Sequence, residues 1–478
     1  MNPRLLILGG GLAGLSTALF LARGGQPVDL LEQDRSAVPT GVRAAAGWHR
    51  ATVPQGVHSH AYLARCRQLL ATEAPDVLAG LLAAGVREIP LCPPASVALT
   101  GPVDPELVVL AARAPVVEWV LRRAVEREAG IRVHAGATAI GLIEAGGRVA
   151  GVRVKGGVVE ADIVIDATGS RSAAPGWLAE LGRPVPERSS PCALDYYTRF
   201  WVLHRSADPG DITRGDTAGG IFDRYSCQVF PADNGTFSVT FGVPPEDLEL
   251  RQLRRADAFD AAAASIPMIG QWVDSSVALP ISGVAVTSET AGLHNRLRVL
   301  APAGVPVLPG LLAVGDAVCT TNPAYRRGAT LGLESALVCA RTVLAQGTDA
   351  VAVAAAADAA QQDLLAPWFH DAVAQDEARL RRWHPQEPDA RGGNTEVSNP
   401  EVTNAAAFLA AQRDPEVWAE FTALQNLLRR PGDVLADPGI IARVRDVLDS
   451  GWRPALREAP DRDRLAATVI SRRAQVPV

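Results

Sequence analysis

The sequence predicts an α/β protein: a Rossmann-like nucleotide-binding core, an inserted mixed β-sheet and a helical C-terminal region. Three observations carry this. The first 32 residues read strand, glycine turn, helix, strand. Residues 186–294 alternate as strands and concentrate aromatic residues in an aromatic-poor chain. The stretch that begins "AVAVAAAADAAQQDLLAPWFHDAV" has the alanine-rich composition of helix.

The opening unit is the most explicit. "RLLILGG" is an aliphatic run of strand length, and "LAGLSTALFLARGG" is a helix with a Gly-Gly stop. Between them Gly9, Gly11 and Gly14 form G-x-G-x-x-G. In that pattern the first glycine allows the tight turn, the second lets a pyrophosphate approach the backbone, and the third lets helix and strand pack closely. Leu12 and Ala13 open the helix, whose free N–H groups favour an anion. A second strand, "PVDLLEQD", ends at Glu32 and Gln33, about 20 residues beyond the glycines, where a ribose diol needs a carboxylate. The same segment resembles a secretory signal in composition, but its glycines are spaced for a turn rather than for an apolar helix.

Composition narrows the function. The 478 residues are 48% hydrophobic with a net charge of −6 and mixed signs along the chain, so no nucleic-acid surface is expected. No membrane span is expected either. Lys155 is the single lysine. Six cysteines, at 66, 92, 192, 227, 319 and 339, make no C-x-x-C pair and read as free thiols of a reducing, cytoplasmic protein.

A second nucleotide-facing unit lies downstream. "GLLAVGDAVCTTNPAYRRGATLGLESALVCARTVL" gives a strand ending at Gly315-Asp316, a proline loop, and a helix that begins near Gly328 and Ala329. An acid at the strand end suits a sugar-chain hydroxyl, and the helix start offers N–H groups to a ring carbonyl.

At this point the chain resembles the FAD-dependent monooxygenases of the aromatic-hydroxylase and squalene-epoxidase type, with a glutathione-reductase-type FAD domain. Residues 113–172 keep that order: an arginine-led helix, a hairpin, and a strand running into "DATGSRS". The resemblance implies FAD contacts from Arg113, Asp166, Gly169 and Asp316. "VPQGVHSHAYL", "DYYTRFW" and "NPAYRRGATLGLESA" further resemble actinobacterial flavin epoxidases that act on polyether polyene precursors, over residues 1–450 or so. What this implies is oxygen transfer from a flavin C4a-hydroperoxide to a lipophilic small-molecule intermediate of secondary metabolism, with O2 as co-substrate. Electrons would come from NAD(P)H or from a partner flavin reductase, since no second glycine motif exists. A dehydrogenase, oxidase or reductase on the same fold is the alternative, and a non-enzymatic flavin sensor a remoter one. Halogenases of this type need an early lysine and a W-x-W-x-I-P stretch, which "GWHRATVP" lacks.

The pair His58 and His60 in "VPQGVHSH" suggests a metal site, but two further ligands are missing, so no metal is expected. The resemblance puts this loop near the flavin ring. His58, His60, Tyr325 and Arg326 are therefore the candidate catalytic residues. Related chains carry glycine where Arg326 stands, and arginine there is expected to lose the freedom of a positive φ.

The expected organisation is an FAD-binding domain from residues 1–75, 105–185 and 295–345. Substrate-binding or lid insertions occupy 76–104 and 186–294, and a helical region 346–478, with a polar loop at 385–404 and short final helices over the pocket or an oligomer face. The aromatic residues of 186–294 are expected either to face a lipophilic substrate or to serve as cross-strand pairs.

Overall fold

The computed structural model describes residues 3–99, 101–205, 207, 212, 218–287, 292–383, 402–454 and 458–471. Its centre is a five-stranded, all-parallel sheet in the order Leu311–Ala313, Ile163–Asp166, β1 (Leu5–Leu8), β2 (Val28–Glu32), Ile131–Ala135. β1 is central and wholly buried, as a parallel strand covered on both faces must be. Helix α1 (Leu12–Arg23) packs beside the helices Ala114–Arg127 and Gly328–Gln346 on one face. Among the described residues, Gly328–Gln346 is long and apolar enough to cross a membrane. Here it lies in the core between α1 and the long helix Ala350–Trp383.

The inserted sheet is antiparallel. Its central strand, Asp195–Leu203, pairs with Thr236–Val243 on one side and with Ala278–Pro280 and Ala285–Thr287 on the other. Ser226–Pro231 joins Thr236–Val243 through a hairpin turn at Asp233-Asn234-Gly235, with Asn234 left-handed at φ 52°. Side chains alternate between the two faces. Tyr197, Trp201, Phe237, Val239 and Phe241 point to one face and form a core with the helices Ala256–Ala264, Pro267–Val273 and Arg462–Ser471. Thr198, Ser238, Thr240, Ser226 and Gln228 occupy the other face.

This decides between the two readings of the aromatic residues. Trp201 lies parallel to Phe237 at 5.8 Å, and Phe241 meets Phe259 edge-on at 5.1 Å, all within the helix-covered core. Only Tyr196, Phe222 and Phe230 of the set line the cleft described below. The helices Ala256–Ala264, Pro267–Val273 and Arg462–Ser471 bury apolar residues against that face. The cleft receives the hydroxyl-bearing one.

The C-terminal helices divide. Asn404–Ala410, Pro415–Gln425, Pro431–Leu435 and Pro438–Asp449 form an apolar cluster beside the long helix. Arg462–Ser471 instead backs the inserted sheet, with Tyr225 Oη donating to the Pro460 carbonyl at 2.7 Å. Most of the polar loop 385–404 lies outside the described residues. All six cysteines are free, and only Cys92 is exposed.

The face assignment makes a stability prediction. Trp201→Ala should cost about 3–5 kcal/mol in urea unfolding, as large core truncations do. Phe230→Ala, on the cleft face, should cost much less. Equal losses would mean the faces are wrongly assigned.

Candidate functional site

A continuous cleft of about 4750 Å³ runs from the glycine turn to the inserted sheet and the C-terminal helices. That is several times the ~300–1,000 Å³ that suits one drug-sized ligand. It has room for a long cofactor and a second molecule.

The glycine turn forms one end. Gly9 has φ +100°, and a Cβ there would meet the Ala167 carbonyl oxygen at 2.6 Å. A Cβ on Gly14 would stand 1.9 Å from the Gly9 oxygen, so helix and strand touch backbone to backbone. Gly11 differs: nothing lies within 4 Å of its Cβ position, and it opens onto the cleft with Leu12 and Ala13. Gly11 caps α1 without a side-chain hydrogen bond, and the first turn holds no acid, so its N–H groups remain available to an anion.

Glu32 is buried beside this turn. Its carboxylate accepts the Gly10 N–H at 2.8 Å and the Asp34 N–H at 2.7 Å. Gln33 follows it along the wall. Arg50 completes the corner. It pairs with Glu32 at 2.6 Å and Glu118 at 2.9 Å, lies 3.6 Å from Asp34, and donates to the Gly10 carbonyl at 3.1 Å. Burial raises the Glu118 pKa, and Arg50 only partly restrains it. Arg50 and Glu118 were not singled out from the sequence. An arginine in the loop just before "VPQG" was the available signal, without any indication of its partners.

Two expected cofactor contacts take other roles. Arg113 is absent from the cleft wall. Its N–H, Nε and Nη2 all donate to the buried carboxylate of Asp233, at 2.8, 3.1 and 2.6 Å, tying the helix Ala114–Arg127 to the hairpin turn. Asp166 is likewise turned inward. It accepts from the Thr168 N–H and hydroxyl at 3.0 and 2.6 Å and from the Ser172 hydroxyl at 2.5 Å. It thereby shapes the loop that puts Gly169, with φ +82°, on the wall.

The downstream unit meets the same cleft. Gly315, at φ +59°, donates its N–H to Ser335 at 2.8 Å and packs against Ala13. Asp316 faces the cleft with no hydrogen-bond partner for its carboxylate among the described residues, and burial raises its pKa to about 6. Gly328 and Ala329 begin the next helix, again with no acid in the first turn. An unpartnered carboxylate, an open glycine floor and two uncapped helix starts are the donor and acceptor set that a dinucleotide's sugar and phosphate groups require.

The loop between these elements holds Tyr325 and Arg326. Tyr325 donates to Asp376 at 2.6 Å. Asp376, on the long helix, also accepts from Asn322 at 2.7 Å, Asn295 at 2.7 Å and Arg379 at 2.7 Å. Asn322 in turn accepts from Tyr196 of the inserted sheet. Arg326 is left-handed, at φ 63° and ψ 17°. The backbone thus keeps the conformation glycine would take, contrary to the expectation, and arginine bears the steric cost of about 1–2 kcal/mol. The neighbouring Arg327 is buried, paired with Asp371 at 2.5 Å and stacked between Trp368 and Tyr325.

His58 and His60 lie on the wall formed with the inserted sheet. His58 is bonded through Nδ1 to Thr198 at 3.1 Å and through Nε2 to Thr287 at 2.5 Å. His60 Nδ1 donates to the His58 carbonyl at 3.0 Å. Burial, and to a lesser degree the neighbouring His60, lowers the His58 pKa to about 4, and burial lowers that of His60. Both rings are therefore neutral near pH 7. The two histidines are neighbours in the sequence, but the hydroxyl partners of His58 are 140 and 229 residues away.

Residues 3–189 match the pyridine nucleotide-disulphide oxidoreductase family. The chain is 27% identical over 360 residues to Protein Rv3254 of Mycobacterium tuberculosis (strain ATCC 25618 / H37Rv), covering 69% of this chain and 71% of that protein. Two solved structures share the fold. The flavin-dependent halogenase CmlS superposes with a TM-score of 0.60 at 18% identity, over 94% of this chain and 78% of that one. A 2-methyl-3-hydroxypyridine-5-carboxylic acid oxygenase gives 0.53 at 14% identity, over 84% and 97%. The α/β class, with its Rossmann-like core, added antiparallel sheet and helical C-terminal region, is the fold read from the sequence.

The two glycines of the turn predict opposite failures. Gly11→Val should fold normally and lose nucleotide binding, because its side chain enters the cleft. Gly14→Ala should lower the melting temperature instead, because its Cβ has no room. Cofactor titration and thermal unfolding of both variants separate the two; a Gly11→Val protein with full affinity would show that the turn is only structural.

Proposed function

We propose that this chain is an FAD-dependent monooxygenase that transfers one atom of O2 to a small organic substrate, by epoxidation or hydroxylation. The observation that carries this is the continuity of the cleft from the open floor at Gly11, past the unpartnered Asp316, to the wall bearing His58 and His60. A nucleotide end and a reaction chamber belong to one space.

FAD, when bound, supplies two-electron redox chemistry and activation of O2. The chain's own groups bind and enclose. The start of α1 takes the pyrophosphate, and Glu32 and Asp316 accept hydroxyl hydrogens from the ribose and the sugar chain. The helix start at Gly328 turns its N–H groups toward the ring end. Tyr325 and Arg326 hold the loop that leads into that helix, and Asp376 fixes the loop from below. Phe408, Trp418, Phe421 and Ile441 add apolar lining to the cleft beside its hydroxyl groups, which suits a largely apolar substrate with polar functions. Such an enclosed space limits water at the reacting centre. NAD(P)H or a partner flavin reductase provides the electrons in this reading. The family match and the flavin-dependent oxygenase and halogenase among the fold neighbours are consistent with it. Halogenation is disfavoured by Lys155, which stands exposed on the turn after Arg148–Val154 and off the cleft wall.

The deciding experiment is turnover under labelled oxygen gas with candidate oxygenated polyene and aromatic substrates. One labelled atom per product molecule is expected. Label arriving from water, or peroxide released with unoxygenated product, would replace the reading with hydrolysis or with an oxidase.

Asp316 gives a pH prediction. Hydroxyl donors favour its ionised form, so FAD binding should tighten as pH rises through about 6 and level off above it. For the apo-protein the sign is reversed. A carboxyl raised above its unfolded value disfavours ionisation in the fold, so its contribution to stability falls as pH rises from about 4 to about 6. Asp316→Asn should flatten both profiles. A wild-type affinity independent of pH between 5 and 7 would remove Asp316 from the cofactor site.

A further inference from the structure

The ring of His60 turns one unanswered atom to the cleft, and the sense of its hydrogen bonding is fixed from inside the fold. Nδ1 lies 3.0 Å from the backbone carbonyl of His58. A carbonyl oxygen only accepts, so Nδ1 carries a hydrogen. Burial lowers the His60 pKa, against the smaller pull of that same bond, so the ring is neutral near pH 7 and holds a single hydrogen. Nε2 is therefore a bare lone pair.

The ring is also held in place. The carbonyl it bonds belongs to His58, whose own ring is tied to Thr198 and Thr287 of the inserted sheet at 3.1 and 2.5 Å. Tyr62, two residues on, lies nearly parallel to His60, with centroids 6.3 Å apart and 20° between the planes. Tyr62 is itself buried, and its carbonyl accepts the Leu110 N–H at 2.9 Å. With Nδ1 bonded and one face covered, the Nε2 edge is left over. It has no hydrogen-bond partner among the described residues and is not enclosed by protein. His60 is half-buried on the cleft wall, so this edge opens on the cleft. A bare lone pair is answered by an O–H or N–H. A carbonyl or ether oxygen meets it lone pair to lone pair. A ligand that displaces water from such an atom without supplying a hydrogen gives up a bond.

We propose that His60 Nε2 is an acceptor for the substrate, and that the substrate carries an O–H or N–H hydrogen where it seats against this ring, as a phenol, an alcohol or an amide does. This rests on the reading of the cleft as a substrate site and goes beyond it. A hydrocarbon polyene, or one whose only polar groups are ethers and ketones, leaves Nε2 unanswered; a hydroxylated one answers it. The hydroxyls and ring N–H of FAD offer the same chemistry, so the test separates the two ligands.

Nitrogen NMR of histidine-labelled protein reads the atom directly, with the His60 signals identified by their loss in His60→Phe. A protonated Nδ1 and a bare Nε2 are expected at pH 7; the opposite tautomer, or an imidazolium, overturns the proposal. Oxidised FAD should leave Nε2 unbonded. Adding 2-naphthol to the FAD-loaded protein should then move the Nε2 signal upfield, the sense of a lone pair that accepts a hydrogen. Adding 2-methylnaphthalene, nearly the same shape with OH replaced by CH3, should leave it in place. An upfield shift on FAD binding assigns the hydrogen to the cofactor and overturns the substrate reading. No shift with 2-naphthol, or the same shift with both probes, overturns it as well. Calorimetric titration gives the second readout. His60→Phe should bind 2-naphthol about 5-fold more weakly than the wild type, the size of one neutral hydrogen bond. Its affinities for FAD and 2-methylnaphthalene should match the wild type. Equal affinity of the two proteins for 2-naphthol overturns the proposal. Neither measurement needs reduced flavin or O2, so failure here is distinct from failure of the monooxygenase reading.

Discussion

The arrangement of the cleft depends on one buried carboxylate. Asp376 is 1% exposed and accepts from Tyr325, Asn322, Asn295 and Arg379. These donors come from the loop before the helix Gly328–Gln346, from the strand His294–Arg298 and from its own helix. Through Asn322 the network reaches Tyr196 of the inserted sheet, and through Arg379 it reaches the Cys192 carbonyl. Three chain segments that are far apart in sequence are thus held at one point. Burial pushes the Asp376 pKa up, and Arg379 with the neutral donors pulls it back. A carboxylate so surrounded strengthens every bond to it in the low-dielectric interior, and a missing donor leaves charge uncompensated. The loop with Tyr325 and the strained Arg326 is rigid for this reason. A left-handed arginine persists only where the neighbours over-determine its conformation.

What was legible in the sequence followed from local backbone requirements. Gly9 announces itself by its positive φ and Gly14 by the close backbone approach it permits, Gly11 completes their spacing, and Glu32 stands at a fixed distance along the same unit. Gly315 and Asp316 are legible for the same reason, being the end of one strand. Arg113 and Asp166 were identified as charged residues in the right segments, but their partners decide their roles. Asp233 is 120 residues from Arg113, and nothing in either segment names the other. The faces of the inserted sheet show the same limit. The alternation of Phe237, Val239 and Phe241 with Ser238 and Thr240 was present in the sequence. Which side meets the cleft depends on where the helices Ala256–Ala264 and Arg462–Ser471 settle, and the latter arrives more than two hundred residues later.

Charge separates the two ends of the cleft. At the glycine turn, Glu32, Asp34 and Glu118 share the single cation of Arg50. Burial raises the Glu118 pKa against the pull of Arg50, and all three acids face that one guanidinium. Such a corner suits the hydroxyl hydrogens of a ribose and disfavours a phosphate on the same ribose, because Arg50 is already shared among three acids. The ribose bound there is therefore unphosphorylated in the proposed reading, as in FAD. On the inserted-sheet wall, burial lowers the pKa of both His58 and His60, which stand there among hydroxyls. Arg50 thus closes the nucleotide corner as a structural cation within the fold. Asp376 fixes the loop of Asn322 and Tyr325 where the downstream unit meets the inserted sheet.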